Sequence, residues 1–376
     1  MLDARIVYQD VRPAPVGNVC HHSVYRGRIA HVGAEETRIG SPARSYDTWR
    51  YQYRQAAINS AQLISRRAQC IMMDTPPGER TLAHSEIDAI RALLGSKPRP
   101  VGWSERRERL DEVGSTWPAA SDVRCEAVDC DGVAGEWSLV PGSEASRVLL
   151  YFHGGGYCSG SIASHRRMVT EAGRAARMRT LAIDYRRAPE HPYPAAHEDA
   201  LAAWRFLRRQ GIPATAIAVG GDSAGGNLTL GLINRLRAAG EDLPACAWLV
   251  SPWTDLTMSG VTLGTKDAVD PLIHKAYLDE LADAYAPPSA DRRDPLISPL
   301  FAELAGFPPV LIQVGSAETL LADASRLAEA AGTADVDVTL QIWPHMIHAW
   351  PLWNAKLEDG RRALAQAGQF MRAHIR

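Results

Sequence analysis

From about residue 148 onward, short apolar runs alternate with longer segments of helical spacing. The runs 148–152, 180–183, 216–219, 246–250, 310–314 and 338–343 contain no charged residue and read as strands buried on both faces. Between most of them lie Ala- and Leu-rich segments, such as 197–209 and 227–239, whose apolar positions recur at helical intervals. Buried strands alternating with helices predict an α/β fold: a mostly parallel central sheet with helices on both faces. Residues 123–130 and 134–139 are patterned for an antiparallel pair at the start of that sheet, and the last helix is expected within 355–373.

Two stretches break the rhythm. Residues 256–295 separate one strand from the next by far more than an ordinary loop, with a helical segment at 273–286 inside. An insertion after the C-terminal end of a strand is expected to cover a site. The other stretch is the start of the chain. Residues 1–72 hold ten Arg, no Lys and five acids, a net of +5 that leaves −7 for the remainder. Within them Trp49, Tyr53, Ala57, Ala61, Ile64 and Ala68 fall on one helix face, with Arg50, Arg54, Arg66 and Arg67 around it. A basic amphipathic helix over 49–72 suits a membrane surface or a partner. It equally suits a packed cap helix, or a leader ahead of the alternative starts Met72 and Met73.

Composition narrows the classes. The chain has 376 residues, 46% of them hydrophobic, which is enough for a sizeable core. Lys plus Arg number 41 against 43 Asp plus Glu, a net charge of −2, so nucleic acid is not expected as a partner. Six cysteines, none in a C-x-x-C pair, support neither a disulfide scaffold nor a structural zinc site. Asp3, Arg5 and Asp10 open the chain with no apolar core of signal-peptide length behind them, and the longest apolar runs are strand-sized. The expectation is a cytoplasmic protein without a membrane span.

The chemistry is concentrated in three places. An apolar strand runs through Gly221-Asp222-Ser223-Ala224-Gly225 into a helix. G-x-S-x-G on a strand–turn–helix is a nucleophile elbow, with glycines that let strand and helix approach closely. A second strand ends in His153-Gly154-Gly155-Gly156. Consecutive glycines let backbone N–H groups face a developing oxyanion, and Gly154, Gly155 and Ala224 are the expected donors. The loop lacks the Lys and Ser/Thr of a phosphate-binding loop and the dinucleotide G-x-G-x-x-G spacing. His153 is read as bracing the loop. A serine hydroxyl needs a histidine base and a carboxylate to orient it, in the chain order Ser, acid, His. Glu318 and Asp323 follow the strand at 310–314, and His345 and His348 follow the strand at 338–343. Glu318 lies nearer its strand end, while spacing leaves the two histidines equivalent.

Together these motifs resemble the hormone-sensitive-lipase-like carboxylesterases, the bacterial family IV esterases of the α/β-hydrolase fold. The resemblance covers roughly Arg80 to the C-terminus. It rests on His153-Gly-Gly-Gly156, Asp184-Tyr-Arg-Arg-Ala-Pro-Glu-His-Pro-Tyr-Pro194, Gly221-Asp-Ser-Ala-Gly-Gly226, Asp294-Pro-Leu-Ile-Ser-Pro299 and Met346-Ile-His348. The form Gly-Asp-Ser-Ala-Gly places it in the branch bearing that nucleophile motif. The resemblance implies Ser223 as nucleophile, His348 as base and Glu318 as acid, at a position that is often Asp. It implies a helical cap over the serine, here 73–120 together with the insertion at about 256–295, on a catalytic domain spanning 121–376. It further implies short-chain esters as substrates, no metal or organic cofactor, and a homodimer through about 338–376. The stretch 184–194 is read as architectural. Two other readings stay open: the same triad acting on an amide, carbamate, lactone or aryl ester, and a non-catalytic ligand-binding relative.

Overall fold

The computed structural model describes the backbone of Arg5–Val7 and residues 84–376. Among the described residues, Arg5–Val7 and residues 86–376 belong to one compact unit. Apart from Arg5–Val7, the leader expected over 1–72 lies outside the described residues, and so does the helix expected over 49–72.

The strands are β1 (Arg5–Val7), β2 (Arg124–Asp129), β3 (Ala134–Leu139), β4 (Glu144–Phe152), β5 (Met178–Ile183), β6 (Ile217–Asp222), β7 (Cys246–Val250), β8 (Val310–Gly315) and β9 (Val338–Trp343). They form one sheet in the order β1-β9-β8-β7-β6-β4-β5-β3-β2. All pairings from β1 to β5 are parallel, and the β5–β3 and β3–β2 pairings are antiparallel. β1 pairs in parallel with β9 at that end of the sheet.

The longer helices among the described residues are α1 (Ser85–Gly95), α2 (Trp103–Thr116), α3 (Ile162–Ala176), α4 (Ala195–Arg209), α5 (Ala224–Ala238), α6 (Lys275–Tyr285), α7 (Leu321–Thr333) and α8 (Glu358–His374). The uninterrupted apolar runs follow from covering both faces of the sheet. Along β4, Val148, Leu150 and Phe152 join the core under α4, α5 and α7, with Trp204, Leu228 and Leu327. Leu149 and Tyr151 point the other way, into the core under α3 and α8, with Met168, Ala172, Leu364 and Met371. This is the two-residue alternation of a pleated strand, apolar on both sides. Truncating Leu150 to Ala would cost about 2–5 kcal/mol through the cavity it leaves.

α2 was not legible as a helix, because its sequence WSERRERLDEVGST has no apolar stripe and none of its residues is fully buried. Charge holds it instead. The Arg106 guanidinium donates to both carboxylate oxygens of Glu280 on α6, at 2.9 and 2.7 Å. It also lies 4.8 Å from the centre of the Trp103 ring and 5.0 Å from that of Tyr277, where the ring faces attract a cation. α6 belongs to the insertion and buries Leu278, Leu281 and Tyr285 in the main core.

Candidate active site

β6 ends at Asp222, and Ser223 takes φ 54° and ψ −119° before α5 begins. That left-handed backbone is strained for a residue with a side chain. It is held from several sides: the Ser223 N–H donates to the Val250 carbonyl at 2.9 Å, and its own carbonyl accepts from Gly226, Asn227 and Trp253 at 3.0–3.2 Å. The flanking glycines are required by contact. A Cβ on Gly221 would lie 2.3 Å from the Gly225 carbonyl, and one on Gly225 would lie 2.0 Å from the Phe152 carbonyl oxygen.

The loop after β4 is tied to this elbow through Asp222. The buried Asp222 carboxylate accepts the Tyr151 hydroxyl at 2.8 Å and the Gly154 N–H at 3.0 Å on one oxygen, and faces His165 Nε2 at 3.2 Å with the other. Burial opposes the charge on Asp222, but His165, the Tyr151 hydroxyl and His348 outweigh it, and its pKa falls below the usual carboxylate value. The expectation that Gly154 supplies an oxyanion donor is therefore corrected: its N–H is already committed to Asp222. Among the described residues, the N–H groups of Gly155, Gly156 and Ala224 meet no protein acceptor. Gly156 has φ 62°, and a Cβ there would strike the Leu281 side chain of α6 at 2.4 Å.

His153 braces the same loop, as its sequence context suggested. Its ring stacks on Tyr185 at 4.2 Å, and the Tyr185 hydroxyl donates to the His153 carbonyl at 2.8 Å. Burial and the neighbouring His165 push the His153 pKa down to about 3, so it is neutral and a poor proton carrier at ordinary pH. The stretch after β5 adds bonds of the architectural kind. The Arg187 guanidinium donates to the Gly160 carbonyl at 2.7 Å, and the Ala188 N–H donates to the Tyr157 carbonyl at 2.9 Å.

Glu318 and His348 come together on the loops after β8 and β9. His348 Nδ1 lies 3.8 Å from Glu318 Oε1, and neither buried atom has another hydrogen-bond partner. The spacing exceeds a hydrogen bond. The second oxygen, Oε2, accepts the Ser251 hydroxyl at 2.8 Å and the Gly315 N–H at 3.2 Å. Ser251 also accepts the Ala349 N–H at 3.0 Å, so one hydroxyl joins Glu318 to the chain beside His348. The loops are laced further by Ser316 N–H to the Trp343 carbonyl at 2.8 Å and Ala317 N–H to the Met346 carbonyl at 3.0 Å. Burial raises the Glu318 pKa against the opposing pull of His348. Burial works to lower the His348 pKa, but the Glu318 carboxylate prevails and the net shift is upward.

The alternatives lie elsewhere. His345 is exposed, with φ 63°; its N–H donates to the Ser316 hydroxyl at 2.9 Å and its carbonyl accepts from Arg91 at 3.1 Å. Asp323 sits on α7, where its carboxylate accepts the N–H groups of Thr254 at 2.8 Å and Asp255 at 2.9 Å. It fastens the loop after β7. Sequence reasoning missed Gly156, Asp222 and Ser251 as parts of the site. Asp222 and Gly156 were visible as members of their motifs, and Ser251 carried one signal, its place just past the C-terminal end of a central strand. Among the described residues, no group of three or more His, Cys, Asp or Glu side chains is placed to hold a metal ion.

Residues 149–352 match the family model described as the alpha/beta hydrolase fold. An acetyl-hydrolase of Streptomyces hygroscopicus is 39% identical over 300 residues, covering 77% of this chain and 97% of the relative. An esterase of Acinetobacter venetianus is 34% identical, covering 70% of this chain and 87% of its own length. The crystal structure of an esterase from the bacterial hormone-sensitive lipase family superposes with a TM-score of 0.75 at 39% identity, covering 78% of this chain and 99% of that one. The chain thus belongs to the hormone-sensitive-lipase family of the α/β-hydrolase fold and is a carboxylesterase, a serine hydrolase.

Proposed function

We propose that the chain hydrolyses short-chain carboxylic esters through an acyl-enzyme formed on Ser223. The observation that carries this reading is the meeting of His348 Nδ1 and Glu318 Oε1 in a buried setting, on loops that share a sheet with the strained elbow of Ser223. Glu318 holds the imidazole in the tautomer that keeps Nε2 free for the serine proton. Ser223 Oγ attacks the ester carbonyl as His348 takes its proton. The carbonyl oxygen becomes an oxyanion, received by the N–H groups of Gly155, Gly156 and Ala224. As the intermediate collapses, the proton passes from His348 to the departing alkoxide. Water then attacks the acyl-enzyme, giving its proton to His348, and Ser223 leaves with that proton.

Asp222 acts on the geometry of the loop. By taking the Gly154 N–H, it fixes the backbone that aims the next two amides. Two observations support a short acyl group. Leu281 of α6 presses against Gly156, and the Streptomyces relative is an acetyl-hydrolase. α1, α2 and the insertion form the cap in this reading. No helix among the described residues is long and apolar enough to cross a membrane. The described cysteines are free thiols, which fits a reducing cytoplasmic setting.

A panel of p-nitrophenyl esters from acetate to dodecanoate, followed by an anilide, tests the reading. Highest kcat/KM at acetate or butyrate is expected. A maximum at octanoate or longer would overturn the acyl-length assignment, and anilide turnover matching the ester would favour another acyl bond.

A further inference from the structure

Thr319, the residue after Glu318, has all its polar groups held by the insertion. Its N–H donates to Asp270 Oδ2 at 2.8 Å, and its hydroxyl lies 3.2 Å from the same oxygen. Its carbonyl accepts the Thr262 hydroxyl at 2.6 Å, and that hydroxyl oxygen accepts the Ala322 N–H at 2.8 Å. Asp270 is itself pinned, because Oδ1 accepts the N–H groups of Leu272 at 2.9 Å and Ile273 at 3.0 Å. The residue is only 3% exposed. A carboxylate taken this far out of water is retained where donors surround it, and here they come from two segments that meet only in the fold. One carboxyl oxygen serves the insertion and the other serves the acid loop.

We propose that Asp270 is a positioning residue for the acid–base pair: reaching from the insertion, it fixes Thr319, and through it the direction of Glu318. The proposal rests on the Ser223–His348–Glu318 reading above. It makes the insertion more than a cover, because it holds Thr319 while the Ser251 hydroxyl and the Gly315 N–H hold Oε2 of Glu318. The electrostatics agree. Asp270 raises the pKa of both Glu318 and His348. The charged groups acting on His348 are Glu318, Asp270 and Asp222; those acting on Glu318 are His348 and Asp270, with the Ser251 hydroxyl bonded to it.

The test is Asp270→Asn in the full chain, with p-nitrophenyl acetate hydrolysis followed across pH. Asparagine offers one acceptor oxygen and an amide that cannot accept, so one of the two sets of bonds must give. kcat is expected to fall roughly tenfold with KM within about twofold. The acid limb of kcat/KM should move to lower pH, since His348 has lost a nearby negative charge. A folded variant with kcat within about twofold of the parent and an unmoved acid limb overturns the proposal. If Asp270→Asn does not fold, Thr319→Val carries the test, because it deletes only the hydroxyl that Asp270 receives. Its expected result is a roughly threefold lower kcat with the acid limb in place, and an unchanged kcat overturns the proposal. Labelling with a fluorophosphonate separates the two levels: slower but complete modification of Ser223 in the variant keeps the triad reading intact, whereas a parent enzyme unlabelled at Ser223 removes that reading itself.

Discussion

Around Ser223, position is set by backbone and a single buried carboxylate; around Glu318 and His348, it is set by side-chain and backbone groups drawn from several loops. On the first side, Asp222 joins the elbow to the Gly154 loop, and glycines allow contacts closer than any Cβ could. On the second, Ser251 and Gly315 donate to Glu318 while Ala349 donates to Ser251, and Glu318 and His348 stand 3.8 Å apart. The difference teaches that the two halves do separate jobs. In the proposed reading, oxyanion stabilisation gains most when donors need no reorganisation, and the Asp222 bond and the close-packed glycines serve that end. In the same reading, proton transfer needs a pair that can close and whose proton affinity can be set, and here the two groups stand 3.8 Å apart with Asp270 and Asp222 also acting on His348.

The largest test of this contrast lies on the acid–base side. His348→Ala should lower kcat by about 10⁴-fold or more, while His345→Asn, a residue type that tolerates a left-handed backbone, should leave kcat within about twofold. A severe loss only in His345→Asn would reverse the assignment of the base. Glu318→Gln comes next, with a kcat loss of about 10³–10⁴-fold. Glu318 raises the His348 pKa above 6.5, and kcat/KM falls as His348 gains a proton. The acid limb of the parent should therefore lie above that value and drop in Glu318→Gln. An identical limb in both proteins would break the link between the two groups.

On the nucleophile side, Asp222→Asn keeps the shape but loses the charge and one acceptor. kcat should fall by roughly 10–10² with little change in KM, because the Gly154 loop is needed most in the transition state. A rise in KM with kcat preserved would show that Asp222 serves substrate binding instead.

The smallest effect concerns stability alone. Burial raises the Asp323 pKa from 3.8 to about 7, with Asp255 adding to it, the Thr254 and Asp255 N–H groups opposing it, and Arg326 also opposing it. The folded value exceeds the unfolded one, so ionising Asp323 costs stability. That cost is absent below the unfolded value, grows as pH rises towards about 7, and is constant above it. Asp323→Asn should keep its bonds to the two N–H groups and raise Tm by roughly 2–4 °C at pH 8, with the gain shrinking towards pH 4. A gain that grows on acidification would contradict the assignment.

How much of this was legible in the sequence follows the same division. The central strands and the elbow are local patterns, and the apolar runs mark them to within a few residues. Which of three adjacent glycines keeps a free N–H is not local, because it depends on an Asp222 carboxylate 68 residues away. Spacing left His345 and His348 equivalent, and only the fold exposes one and buries the other against Glu318. Asp323 and Glu318 are separated in the same way, one facing the loop after β7 and the other the imidazole. α2 has no apolar stripe to read, since ion pairs and ring contacts hold it. Asp270 gave no signal within the insertion, since its second set of partners comes from the acid loop.

The central claim is that Ser223 is the nucleophile that this assembly activates. The full chain is treated with a fluorophosphonate while p-nitrophenyl acetate hydrolysis is followed, and the adduct is located by mass spectrometry. The account predicts one adduct on Ser223, activity lost in proportion to it, and a folded Ser223→Ala variant that neither labels nor turns over. An adduct on another residue, or sustained turnover by Ser223→Ala, would contradict it.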